Sequence, residues 1–165
     1  MKIAISGSVG VGKTTIAKEL SKKLNSELIE LNEIAKKYKI EDVPDLQTFD
    51  FNIDKLIFDM NKKIANKTED LVIEGHFAHF LDPQIIDLLI VITRDLSELK
   101  EVYQKRGYNQ QKIQDNLEVE SFNLCFYEGI EQGYKEEKQI FAIENNSNID
   151  EIIEKIINVI SKQEE

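Results

Sequence analysis

Gly7-Ser8-Val9-Gly10-Val11-Gly12-Lys13-Thr14-Thr15 fits the phosphate-cradling pattern G-x-x-x-x-G-K-[ST], the P-loop or Walker A motif, with Gly10 as one glycine more than it requires. Glycine lets a backbone turn tightly and brings successive N–H groups close to phosphate oxygens, because no Cβ blocks the approach. In this pattern Lys13 reaches the outer phosphates of a nucleotide and Thr14 places its hydroxyl on Mg²⁺. The flanks agree with that reading. Lys2-Ile3-Ala4-Ile5-Ser6 is a short, largely apolar run suited to a buried strand. Ile16, Ala17, Leu20 and Leu24 then fall at helical spacing, so the loop feeds a helix N-terminus whose dipole favours anions.

Composition bounds what such a loop can serve. The 165 residues are enough for one domain with a real core and too few for a second module. A net charge of −10, with 31 acidic and 21 basic residues, argues against an extended nucleic-acid surface, which needs clustered Lys and Arg. Only Arg94 and Arg106 are arginines, and a basic partner protein suits this surface better than naked RNA. The single Cys125 excludes an internal disulfide, offers no metal-ligand cluster and reads as a small buried apolar residue. No signal peptide is visible, and the longest apolar stretch, 85–93, contains Asp87 and falls well short of the roughly 18 residues that span a bilayer. A cytoplasmic protein is expected.

Alternating strands and helices follow along the chain. Glu27-Leu28-Ile29-Glu30-Leu31 alternates like a strand, with Asn32 placed to cap a short helix through Tyr38. The stretch 42–50, with Pro44 and little periodicity, reads as a surface connection before a helix over about 53–65. Leu71-Val72-Ile73-Glu74 and Leu88-Leu89-Ile90-Val91-Ile92 are continuous apolar runs of the kind found in parallel strands buried on both faces. Helices are expected over 95–105 and 110–132, and a fifth strand over 139–144. Ile149, Ile152, Ile153, Ile156, Ile157 and Ile160 form one face of a terminal helix, read as core packing. The rhythm predicts an α/β fold, a central five-stranded parallel sheet flanked by helices.

Ligands of open α/β sheets bind beyond the carboxyl ends of the strands, which draws attention to the residues after Ile73 and Ile92. Glu74 can hold Mg²⁺ or its bound water, as the acid after a second buried strand does in P-loop enzymes. Both histidines follow at once, in Glu74-Gly75-His76-Phe77-Ala78-His79. His76, the favoured of the two, could order water or touch a phosphate, and either imidazole could simply satisfy backbone groups at a turn. No third His and no neighbouring Cys supports zinc.

The ordered set of Gly7 to Thr15, Ile73-Glu74-Gly75-His76, and Lys105-Arg106-Gly107-Tyr108-Asn109 with Lys112, Asn116 and Glu120 resembles the small adenylate kinases of the isoenzyme-six type. That family includes the coilin-interacting nuclear ATPase and archaeal adenylate kinase-like proteins, and the similarity runs from the first strand to about Tyr134. It implies a P-loop NTPase three-layer fold with a monophosphate-binding arm at about 30–53 and a short lid at about 105–115. It also implies ATP binding by Gly10, Val11, Gly12, Lys13, Thr14, Thr15 and Arg106, with Mg²⁺ as cofactor at Thr14 and, through water, Glu74. Lys13, Arg106, Glu74 and His76 would be the catalytic residues. The implied reaction is ATP plus AMP giving two ADP, and a monomer is expected.

The same resemblance supports a second reading, an ATP-switched assembly factor that serves small-subunit rRNA maturation through a basic ribosomal protein. A P-loop kinase of another small molecule is a third. Two departures stand out. Large adenylate kinases carry Asp-Gly-Phe-Pro-Arg where this chain has Glu-Gly-His-Phe-Ala, and the arginine that often ends the family's fourth strand aligns with Thr93, one place before Arg94. A shift of one residue turns a strand side chain to the opposite face, so Arg94 has no assigned role.

Overall fold

In the computed structural model, which describes residues 1–163, the chain runs β1 (Lys2–Ser6), α1 (Lys13–Leu24), β2 (Glu27–Glu30), α2 (Leu31–Ala35), β3 (Lys39–Val43), β4 (Thr48–Phe51) and α3 (Ile53–Ala65). It continues through β5 (Leu71–Glu74), β6 (Leu88–Thr93), α4 (Leu96–Lys105), α5 (Gln110–Ser121), α6 (Leu124–Gln132), β7 (Ile140–Glu144) and α7 (Ile149–Gln163). Five strands form one parallel sheet in the order β2-β5-β1-β6-β7.

The apolar runs are continuous because both faces of the sheet are covered. Leu88, Ile90 and Ile92 of β6 join a core with Ile16 and Leu20 of α1, Leu99 and Tyr103 of α4, and Ile152, Ile153, Ile156 and Ile160 of α7. Their neighbours Leu89 and Val91 point the other way, into a core with Leu31 of α2, Leu56, Met60 and Ile64 of α3, and Cys125 of α6. The period of two along each strand thus divides the molecule into three layers. The terminal helix packs as its isoleucine face requires, with its acids and lysines outward.

Three local expectations need correction. The stretch 42–50, read as a surface connection without strands, belongs to a two-stranded antiparallel hairpin over 39–51, β3 against β4. Its turn is tight because Gln47 adopts a left-handed conformation at φ 50°. The short helix α2 starts at Leu31, so Asn32 lies inside it and the flanking residue is Glu30, whose side chain makes no capping bond. The helix expected over 110–132 is broken at Phe122 and Asn123, the latter left-handed at φ 50°, giving α5 and α6.

Candidate active site

The register of the sheet decides which residues meet at its carboxyl edge. Ile5 lies beside Glu74 on one side and Ile90 on the other, Ser6 lies beside Val91, and Glu30 beside Glu74. The chain leaves β1 at this edge and turns through residues 7–12 into α1. Gly7 holds φ 138°, and a Cβ there would sit 2.2 Å from the Ile92 carbonyl oxygen. Gly12, the N-cap of α1, holds φ 101°, and a Cβ there would sit 2.6 Å from the Asn145 amide nitrogen. No side chain caps α1, so its first backbone N–H groups remain open toward the loop, an arrangement made for an anion.

Three side chains distant in sequence fix the loop's shape. The Tyr103 hydroxyl donates to the Val9 carbonyl at 2.6 Å, and the Asn145 amide donates to the Val11 carbonyl at 2.8 Å. Glu120 accepts from the Ser8 hydroxyl at 2.6 Å through one oxygen and from the Arg94 backbone N–H at 2.7 Å through the other.

Lys13 is buried, and its ammonium donates to the Gly7 carbonyl at 2.8 Å and the Ser8 carbonyl at 2.7 Å. Burial pulls its pKa down to about 8, the Arg106 charge adding to that pull while Glu74 and Glu120 oppose it. Glu74 is buried as well. One carboxylate oxygen accepts from the Thr14 hydroxyl at 3.1 Å, while the other is buried without any partner. Burial raises the Glu74 pKa and the Lys13 charge restrains the rise. An unpartnered buried carboxylate oxygen beside a hydroxyl is the hard-oxygen environment that suits Mg²⁺, which takes few protein ligands and keeps several waters. Among the described residues no group of three or more His, Cys, Asp or Glu is arranged as a metal site.

The two histidines diverge. His76 reaches into a cleft of about 440 Å³, walled by Asn32, Glu33 and Lys36 of the α2 region, by Phe49 and Phe51 of the hairpin, and by Tyr108 and Lys112. Val9 of the phosphate loop lines the same cleft. Although His76 is exposed there, the surrounding protein and then the Lys13 charge push its pKa down to about 4, so it is neutral near pH 7. His79 points into the interior, with Nδ1 2.7 Å from the Ser6 hydroxyl and Nε2 2.9 Å from a Glu128 carboxylate oxygen. Burial depresses it to about 4, which makes it a neutral bridge between β1 and α6, one nitrogen accepting and the other donating.

A family model described as "AAA domain" matches residues 3–123. Over 168 residues the chain is 32% identical to the "Putative adenylate kinase" of Methanocaldococcus jannaschii, covering 100% of this chain and 89% of the relative. A protein of the same name from Methanosarcina acetivorans is 36% identical over 140 residues, covering 79% of this chain and 72% of the relative. The chain belongs to the P-loop nucleoside monophosphate kinase family. Among solved structures, a gluconokinase from Sinorhizobium meliloti 1021 superposes on this family member with a TM-score of 0.65 at 12% identity, covering 98% of this chain and 91% of the other. Shikimate kinase from Aquifex aeolicus does so with a TM-score of 0.61 at 17% identity, covering 98% and 97%. These likenesses are of fold.

Within this kinase-family fold the structure gathers Gly10, Val11, Gly12, Lys13, Thr14, Thr15, Glu74 and His76 at one sheet edge, with Thr14 and Thr15 exposed at the start of α1. Arg106 caps the C-terminus of α4 through its backbone N–H, which donates to the Val102 carbonyl at 3.0 Å; its exposed guanidinium makes no hydrogen bond or ion pair among the described residues, although its charge acts on Lys13. Arg94 turns away to pair with Glu98 at 2.8 Å, the next turn of the adjoining helix. Cys125 is buried, and its thiol is pushed up to about 11, chiefly by burial. No helix among the described residues is long and apolar enough to cross a membrane. The contacts of Tyr103, Asn145 and Glu120 with the loop were hidden from sequence reasoning, since separations of 94, 134 and 112 residues leave no local signal.

Proposed function

We propose that this chain is an adenylate kinase, an ATP-dependent phosphotransferase that moves the γ-phosphoryl group of ATP to AMP and yields two ADP. The observation that carries the reading is the 440 Å³ cleft that shares Val9 with the phosphate loop and meets His76 at the same strand end as Glu74. One nucleotide on the loop therefore faces a second acceptor across a short gap. Phe49, Phe51 and Tyr108 give that cleft aromatic faces for a base, and Lys36 and Lys112, which now bond Glu33 and the Gln47 carbonyl in a lining that also holds Asp115, are the cations that would turn to a phosphate. The names borne by the archaeal relatives support adenine as the base.

In the transfer, an AMP phosphate oxygen bonds to the γ-phosphorus as the bond from that phosphorus to the β,γ-bridging oxygen breaks. Little covalent help is needed; positioning and charge neutralisation supply the catalysis. Lys13 exchanges its two loop carbonyls for phosphate oxygens, and its pKa rises back as the anion arrives. Bound Mg²⁺, held by Thr14 and by Glu74 through water, would neutralise charge on the outer phosphates. His76, neutral at pH 7, supplies a hydrogen bond at the acceptor side. Arg106, unpaired and at the lid's edge, is free to swing onto the transferred group, where such an arginine is worth about a thousandfold in rate. In this reading residues of about 30–53 form the monophosphate arm and those of about 105–115 the lid.

The net charge of −10 favours a second use of the same site, in which ATP turnover switches the grip on a basic small-subunit ribosomal protein during rRNA maturation, as the isoenzyme-six resemblance implies. A lone buried thiol suits the reducing cytoplasm, where a monomer would act. The test is to incubate the protein with Mg-ATP and a panel of acceptors while measuring ADP, transferred phosphate and free phosphate separately. AMP-dependent doubling of ADP supports the kinase. Acceptor-independent phosphate release, stimulated by a basic ribosomal protein, would favour the switch.

A further inference from the structure

The hairpin and the segment after α4 both line the acceptor cleft, and the side chains of Gln47, Asn109 and Lys112 join them, Gln47 with two bonds. The Gln47 amide donates to the Gly107 carbonyl at 3.2 Å and accepts from the Asn109 backbone N–H at 2.8 Å. Two further bonds flank this clasp: the Asn109 side chain donates to the Asp45 carbonyl at 2.6 Å, and the Lys112 ammonium donates to the Gln47 carbonyl at 2.7 Å. All four span at least 60 residues of sequence. Asn109 also caps α5 by accepting from the Lys112 N–H at 2.9 Å, so the clasp grips the start of a helix and not a loose strand of loop.

From the turn the connection continues to the phosphate loop. Tyr108 stacks on Tyr103 with ring centroids 5.7 Å apart, and Tyr103 is the residue whose hydroxyl holds the Val9 carbonyl. Arg106 immediately precedes the clasped turn. Gln47 itself occupies a left-handed backbone conformation, φ 50°, where Gly or Asn would be at less cost, so the position carries a side chain despite the strain. The residues of the clasp are exposed, water competes for every one of its bonds, and it can therefore open and reclose as ligands come and go.

We propose that Gln47 is a positioning residue for phosphoryl transfer: by clasping the 107–109 turn it roofs the acceptor cleft and sets Arg106 over the phosphate loop, so the arm and the lid close as one body. This inference rests on the kinase reading above. It makes transfer and exclusion of water depend on the same contact. An open clasp leaves ATP bound but its γ-phosphate poorly aligned with the acceptor and open to water.

The test uses the full chain and two substitutions. Gln47→Gly removes the amide while suiting the left-handed backbone, so a loss cannot be blamed on misfolding. Gln47→Glu keeps an acceptor for the Asn109 N–H but turns a carboxylate toward the Gly107 carbonyl. The measurements are kcat and acceptor KM for transfer, the ratio of free to transferred phosphate, affinity for a non-hydrolysable ATP analogue, and hydrogen exchange at the Asn109 amide.

In Gln47→Gly, Asn109 should exchange faster, analogue affinity should stay within about twofold, kcat should fall about tenfold or more, and the share lost to water should rise. In an Arg106→Ala background the same substitution should cost little further, because the two act through one step. Unchanged Asn109 exchange overturns the clasp, and faster exchange with unchanged kcat overturns its role in positioning. Should the wild-type protein transfer phosphate to no acceptor, the kinase reading fails first, and the clasp is then decided by Asn109 exchange alone.

Discussion

Replacing Lys13 with Met should stabilise the fold while abolishing its chemistry, and the pH dependence of that stabilisation can be worked out beforehand. The Lys13 side chain is only 6% exposed, and burial has brought its pKa from 10.5 to about 8. At about 1.4 kcal/mol for each tenfold, holding the charged amine in that place costs about 3 kcal/mol near neutral pH. Below pH 8 the lysine is protonated in both the folded and unfolded chain, and the cost is present in full. Between pH 8 and 10.5 the folded state releases its proton while the unfolded state keeps it, so wild-type stability climbs relative to the variant.

Urea denaturation of both proteins at pH 7, 8, 9 and 10 measures the gap, and groups common to both cancel from the difference. The Met variant should be ahead at pH 7, with its lead shrinking by about 3 kcal/mol as pH approaches 10.5. Loss of the bonds to the Gly7 and Ser8 carbonyls shifts the gap by an amount independent of pH, so the slope is the test. A gap that stays constant or widens with pH would refute the placement of a strained, charged lysine beneath the loop.

Glu74→Gln should lower the rate of phosphate transfer about a hundredfold and weaken its Mg²⁺ dependence while leaving thermal stability undiminished, because it removes a buried charge with one oxygen unpartnered; a Mg²⁺ titration of initial rates checks this. In the wild type, activity should fall as pH drops through the raised Glu74 pKa, since the metal requires the carboxylate, and a profile flat down to the ordinary glutamate range would contradict it. Gly12→Ala, whose added Cβ meets Asn145 at 2.6 Å in a left-handed backbone, should weaken ATP-analogue binding at least tenfold in calorimetry. His79→Ala should cost about 3 kcal/mol in denaturation by opening the bridge between Ser6 and Glu128, yet change the KM for ATP little.

What the sequence disclosed was whatever local rules govern. The P-loop, the doubly buried strands 71–74 and 88–93 and the isoleucine face of α7 each follow from a period or a spacing confined to one segment. The hairpin stayed hidden because its turn is made by Gln47 in place of glycine or Asn-Gly, and its strands are short and mostly exposed. Asn123 concealed the break between α5 and α6 for a similar reason, supplying a left-handed residue without the usual glycine. At the site, Lys13, Thr14 and Glu74 were legible from their strand and loop positions. The partners of His79, 73 and 49 residues away, were not, although the resemblance singled out His76, the histidine that lines the cleft, and gave His79 no role.

The fate of the γ-phosphate tests the central claim most directly. A single turnover with γ-labelled ATP, Mg²⁺ and excess AMP should place the label in the β-position of newly formed ADP, with two ADP formed per ATP consumed and no such product from Lys13→Met. Label recovered chiefly as free phosphate, at a rate indifferent to AMP, would contradict the account.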